Sequence, residues 1–194
     1  VIGTWCTLCL IAALAMAVMI PYSLNEFVAM GQFLVWSRKQ GKPFWRTFWT
    51  GDAMDGGSDD SSIGLVGTPR EQWAQATRGV TYPWTLLLSI AIGIWLTFTR
   101  VTFDSVGTMV DSDHLVGLLV VTFSIIALAE VGRATRFINI PFGFWLIAAP
   151  WLLDGIALPL ATWNSVICGV LLIVLAIPRG LIKDSYADWD RYIV

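Results

Sequence analysis

Two cysteines stand three residues apart at the very start of the chain, in Gly3-Thr4-Trp5-Cys6-Thr7-Leu8-Cys9-Leu10. On a helix, positions i and i+3 share a face, so the two sulfurs point the same way and can close a disulfide or present a dithiol. Gly3 and Thr4 could begin and cap that helix, which would place Cys6 in its first turn. Unpaired backbone N–H groups and the helix dipole there favour a thiolate, and a thiolate is the attacking group in disulfide exchange. Two other readings of the pair stand beside this one. Cysteine packs well as a small apolar side chain, and thiolates bind zinc. A structural zinc site wants four ligands, whereas this chain offers only Cys168, inside another apolar run, and the single histidine, His114. Cys168 itself reads as helix packing.

Few other residues suggest chemistry. His114 follows Asp113 where a loop enters an apolar segment; it is either an interfacial polar residue or a proton carrier or quinone contact. Glu130 has Arg133 three residues on, the spacing of a local pair at a membrane surface, and Asp154 takes the same reading. Tyr82-Pro83-Trp84 and Ala149-Pro150-Trp151 combine an interfacial tryptophan with a proline that bounds or kinks a helix. The sequence shows no phosphate loop, nucleophile triad or metal-ligand cluster.

The elements that must hold these residues are membrane helices. Of 194 residues 56% are hydrophobic and 13% charged, and the mean hydropathy is +0.69, well away from soluble domains. A net charge of −2 without a basic patch gives no support for a nucleic-acid partner. A bilayer core about 30 Å thick needs roughly 20 apolar residues in a helix. Five segments approach this: Val1–Asn25, Gly79–Thr99, His114–Ala129, Phe137–Leu153 and Gly155–Pro178. The expected fold is therefore an all-α integral membrane protein with five transmembrane helices. The opening Val1-Ile2-Gly3, with neither initiator Met nor basic leader, reads as the start of a fragment.

Basic residues accumulate in cytoplasmic loops. If the first helix runs outside to inside, Arg38, Lys39, Lys42, Arg46, Arg70, Arg78, Arg133, Arg136, Arg179, Lys183 and Arg191 all fall inside and only Arg100 outside. Asp104, Asp111, Asp113 and Asp154 then occupy outer loops. The cysteine pair lies on the oxidising side, where disulfide chemistry belongs. Glu26–Trp49 interleaves Trp36, Phe44, Trp45, Phe48 and Trp49 with four basic residues, the pattern of an interfacial helix. Residues 50–78 form a cytoplasmic linker, Gly/Ser/Asp-rich from Gly51 to Ser62, and 179–194 a cytoplasmic tail.

Residues 79–178 repeat internally. Gly93-Ile94-Trp95-Leu96 matches Gly143-Phe144-Trp145-Leu146 at an offset of 50, and Gly117-Leu118-Leu119-Val120-Val121 matches Gly169-Val170-Leu171-Leu172-Ile173 at 52. Two helical hairpins pointing the same way follow, packed as a four-helix bundle with matched glycines allowing close approach.

Two resemblances attach to these residues. The Trp-Cys-x-x-Cys helix start and the basic aromatic stretch after it, residues 1–49, resemble the last helix of the four-helix core of bacterial vitamin K epoxide reductase-like proteins. The hairpins, with Gly-x-Trp-Leu and Pro-Trp-Leu-Leu, resemble the membrane repeat named SPW, Ala149-Pro150-Trp151 standing in for Ser-Pro-Trp. The first resemblance implies a quinone-linked thiol-disulfide oxidoreductase of the bacterial inner membrane. Cys6 would exchange disulfides with a second cysteine pair, which takes electrons from a periplasmic thioredoxin-like partner. Cys9 would pass electrons to a quinone of ubiquinone or menaquinone type. That second pair and the other core helices are not in these 194 residues, so the isolated chain is expected to be inactive. The alternative is a non-enzymatic membrane anchoring or assembly module whose cysteines pack.

Overall fold

The computed structural model describes residues 7–52, 68–102, 107–153 and 159–193. They fold into seven α-helices and two 3-10 segments, with no strand among the described residues. Helix α1 (Thr7–Lys39) runs 33 residues, carries Pro21 inside it, and leads through a turn into the short aromatic α2 (Phe44–Thr50). The apolar first helix and the interfacial stretch expected after Asn25 are thus one rod as far as Lys39. α3 (Pro69–Ala76) lies within the stretch read as linker.

The repeat region comprises α4 (Trp84–Thr102), α5 (Thr108–Ile126), α6 (Asn139–Leu152) and α7 (Pro159–Ala176), with a 3-10 segment, Glu130–Ile138, before α6. Among the described residues three helices are long and apolar enough to cross a membrane: Ile11–Lys39 of α1, α5 and α7; Trp84–Thr99 of α4 is apolar but shorter. At 1.5 Å per residue the 14 residues of α6 reach only about 21 Å. This is a membrane protein whose described residues hold three such helices and shorter apolar companions. α5 starts six residues before the expected His114, so Asp111 and Asp113 belong to a helix rather than to a loop. Asp104 and Asp154 lie outside the described residues.

The four helices close into a ring in which α4 packs on α5, α5 on α6, α6 on α7 and α7 back on α4. Leu96, Val116, Val120, Leu146, Cys168 and Leu172 form its core. The duplication is visible in the packing. A Cβ on Gly93 would lie 2.8 Å from the carbonyl oxygen of Gly117, and one on Gly117 2.6 Å from that of Gly93. Gly143 and Gly169 repeat this crossing at 2.6 and 2.5 Å. Only a residue without Cβ lets two backbones approach so closely. Between hairpins, Trp95 Nε1 donates to Asn164 Oδ1 (2.9 Å), and its repeat mate Trp145 donates to Ser112 Oγ (2.8 Å).

One end of this bundle, where α4 and α6 begin and α5 and α7 finish, is closed by irregular chain. Gly79–Thr81 pairs antiparallel with Leu128–Glu130 through Thr81 N to Leu128 O (3.1 Å) and Glu130 N to Gly79 O (2.8 Å). The C-terminal segment, including the 3-10 segment Ala187–Tyr192, folds over the same end: Trp189 Nε1 donates to Val131 O and Gln32 Nε2 of α1 to Tyr186 O. The residues read as a tail form a strap between α1 and the bundle.

Candidate functional site

Cys6 lies outside the described residues; Cys9 sits in the first turns of α1 and is exposed. The helix around it is uncovered. Leu8, Ile11, Leu14, Met16, Val18 and Met19 are all more than half exposed; at 100° per residue they cover rather more than half of the circumference, and Cys9 and Ala13, also exposed, continue round toward the other side. A helix apolar on all sides is built for lipid or for other apolar helices. Further along, α1 is tied to the rest of the protein: Tyr22 OH bonds Tyr82 OH (3.0 Å), and Asn25 Nδ2 donates to Arg78 O (3.2 Å).

Cys168, by contrast, is buried in the bundle core, as the packing reading expects. His114 is exposed, and its Nδ1 binds the Thr97 carbonyl at 3.0 Å, tying α5 to α4. Its sequence neighbour Asp113 points inward and is 4% exposed; Ser165 Oγ donates to its Oδ2 at 2.6 Å, while Oδ1 has no protein partner. Sequence reasoning set Asp113 aside as a loop acid. The signal that would have found it is the repeat offset of 52, which makes Asp113 and Ser165 equivalent positions facing across the pseudo-twofold.

The densest polar constellation closes the strapped end. Glu130 and Arg133 are fully buried, and Arg136 nearly so. Glu130 does not bond Arg133 in the manner of a surface pair. Its Oε1 accepts from the N–H of Lys183 (2.9 Å), and its Oε2 from the N–H of Asp184 (3.0 Å) and the Tyr186 hydroxyl (3.2 Å). It is the clamp that holds the strap. Burial and the neighbouring Glu130 carboxylate push the Tyr186 hydroxyl well above its ordinary range, so it stays protonated as the donor. Asp184 Oδ2 in turn accepts from Gly79 N (3.0 Å).

The two arginines are used differently. Arg136 Nε donates to the carbonyl of Ala176 (3.1 Å), the last residue of α7, and Nη1 to that of Arg133 (3.1 Å). A cation is favoured at a helix C-terminus; burial lowers its pKa, and nearby Arg179 adds to that. Arg133 Nη2 donates to Thr81 Oγ1, but its Nε and Nη1 have no partner. Burial pulls its pKa down to about 10, with the Glu130 charge acting in the opposite sense. The guanidinium is therefore still charged at neutral pH.

Among the described residues no three His, Cys, Asp or Glu side chains converge to hold a metal. Nor, among them, does the bundle bring a second cysteine near Cys9, since Cys168 is in the core of the ring. No curated protein and no solved structure matches this chain. The repeated hairpins do find a counterpart: residues 83–178 match the family described as the SPW repeat domain, and this part of the chain is an SPW repeat domain.

Proposed function

We propose that this chain is the carboxy-terminal part of a quinone-linked membrane thiol-disulfide oxidoreductase, anchored by its SPW repeat domain. In the proposed reaction Cys6 and Cys9 give up two electrons and two protons, close a disulfide, and reduce a quinone to the quinol. The pair is re-reduced by thiol exchange at Cys6 with a second cysteine pair, which a thioredoxin-like partner keeps supplied with electrons. The observation that carries this reading is the exposed Cys9 at the head of an apolar helix whose large side chains, from Leu8 to Met19, are exposed. Such a helix suits a place among further core helices, where a flat apolar quinone would approach the sulfur.

The reading includes five membrane crossings, with α4 and α6 completing the set. It puts the dithiol on the periplasmic face of a bacterial inner membrane and the basic, strapped end in the cytoplasm, as the eleven-to-one division of Lys and Arg favours. In α5 the polar Asp113 and Ser112 then lie toward the outer face.

The test is maleimide labelling of intact cells before and after reduction. Cys6 and Cys9 are expected to react from outside only once reduced, while Cys168 stays unlabelled throughout. Labelling without reduction would refute a disulfide-forming pair, and no labelling even after reduction would favour cysteines that merely pack.

A further inference from the structure

The last third of α1 and the C-terminal strap enclose an open groove of about 580 Å³. Along α1, Phe27, Gly31, Val35 and Lys39 follow one another at a spacing of four, so they form one row on the helix surface. The last three line the groove. The row is apolar and ends on a cation. Phe27 and Val35 are more than half exposed, and nothing lies within 4 Å of a Cβ built on Gly31, so the middle of the row is an open slot. From Gly31 to Lys39 the helix rises about 12 Å.

The strap supplies the other wall with Trp189, Arg191 and Tyr192. The Arg191 guanidinium lies 4.9 Å from the centre of the Tyr192 ring, and neither Arg191 nor Lys39 makes an ion pair among the described residues. Among those residues no Asp or Glu lines the groove. Nearby carboxylates do weaken its field: Asp188 and Asp190 flank Trp189, and Asp52 pairs with Lys42. They are outnumbered, since residues 36–52 and 187–192 together carry five Lys and Arg against these three acids.

The depth in the bilayer suits a headgroup. The apolar span of α1, Ile11–Lys39, has 29 residues and so a length of about 43 Å, while a bilayer with both headgroup layers measures about 40–45 Å. The last turns of α1 therefore emerge among headgroups, the level to which the exposed Trp45 and Trp49 of the following α2 also belong.

We infer that this groove binds one anionic phospholipid, its phosphate between Lys39 and Arg191 and an acyl chain running back along Val35, Gly31 and Phe27. The order of the row, apolar toward the membrane and cationic at its edge, is the order of a lipid. A soluble anion would need the two cations but not the slot at Gly31. The site stands apart from the thiol chemistry of Cys6 and Cys9.

In the experiment the full chain in dodecyl maltoside, an uncharged detergent, is titrated with phosphatidylglycerol, phosphatidylcholine or inorganic phosphate. Bound molecules are counted by native mass spectrometry and melting is followed in parallel. One phosphatidylglycerol is expected to bind saturably, about thirtyfold tighter than phosphatidylcholine, the factor for two cations beside an anionic head. Lys39 and Arg191 are both exposed, so Lys39→Gln and Arg191→Gln should keep the fold while each lowers that preference about fivefold. Gly31→Leu extends into the slot from a position where its Cβ meets nothing, and should weaken both lipids alike without lowering the lipid-free Tm. Equal affinity for the two lipids, unchanged preference in both cation variants, or inorganic phosphate binding as tightly as phosphatidylglycerol overturns the inference. So does a lipid-free dimer that Gly31→Leu dissolves, which would make a second copy the occupant.

Discussion

Replacing Gly117 by alanine tests the helix crossing on which the bundle is built. The new Cβ would lie 2.6 Å from the Gly93 carbonyl oxygen, 3.0 Å from Leu96 Cβ and 3.0 Å from Thr97 N. Two of these three neighbours are backbone, so no rotamer change relieves them. To reach ordinary contact near 3.4 Å, α4 and α5 must part by about 0.8 Å along their closest approach. A gap of that size forfeits a quarter to a half of each van der Waals well across the seam, where Leu96 and Val120 are fully buried. Overpacking of this kind costs about 1–3 kcal/mol. Alanine also gains about 1 kcal/mol of helix propensity over glycine, a gain shared by the control Gly31→Ala, where nothing lies within 4 Å of the added Cβ. The control should therefore be neutral or stabilising, and Gly117→Ala should fall below it by about 2 kcal/mol in reversible detergent or steric-trap unfolding. Gly169→Ala, 2.5 Å from the Gly143 oxygen, should cost a similar amount in the second hairpin. Gly117→Ala and Gly31→Ala of equal stability would refute the close crossing.

Ser165→Ala takes the one donor from buried Asp113 and is expected to destabilise the bundle by about 1–3 kcal/mol in the same unfolding assay; an unchanged midpoint would mean that Asp113 is satisfied elsewhere. Glu130→Gln keeps the shape of the clamp but weakens its charged acceptor, so the amides of Lys183 and Asp184 should exchange with deuterium roughly ten to a hundred times faster. Tyr82 titrates late: its bond to the Tyr22 hydroxyl, with burial and repulsion from Tyr22, pushes it up to about 12. A raised pKa means the folded state holds its proton longer, so this contact's stabilisation is complete below pH 10 and is lost as pH rises from 10 to about 12. Tyrosinate absorbance should show two late-ionising groups, Tyr82 and the half-buried Tyr186, and Tyr22→Phe should return only the first toward about pH 10.

What the sequence made legible was whatever repeats or is local. Gly93, Trp95 and Leu96 stand in for Gly143, Trp145 and Leu146, so hairpins with glycine seams followed directly, and the composition pointed to membrane helices. The ends of helices were harder. Asp113 looked like loop because apolar periodicity begins after it, yet α5 starts at Thr108, since an acid whose carboxylate receives Ser165 Oγ can lie inside a bundle. The Glu130–Arg133 pair was misleading for a related reason. Spacing of three suggests a local pair, whereas the partners that bury these side chains, Lys183, Asp184, Tyr186 and Thr81, lie more than fifty residues away, beyond the reach of any local pattern.

The duplication also shows where the two halves have stopped being equivalent, and the divergence concentrates polar chemistry. Offsets of 50 and 52 pair Asp113 with Ser165, Ser89 with Asn139, and Leu86 with Arg136. All six are buried, so each pair occupies matching places in the core. An aspartate at both copies of the first position would set two carboxylates against each other in a low-dielectric interior, which is expensive; serine at one copy turns the contact into a donor–acceptor pair. Toward the strapped end, Asn139 Nδ2 donates to Ser124 Oγ (3.0 Å), while Ser89 turns back to the Thr85 carbonyl (3.0 Å). Arg136 caps α7, and its counterpart Leu86 packs with Val80, Ala127 and Leu128. The strapped end is thus asymmetric by sequence: one hairpin brings the arginines and the other the apolar floor.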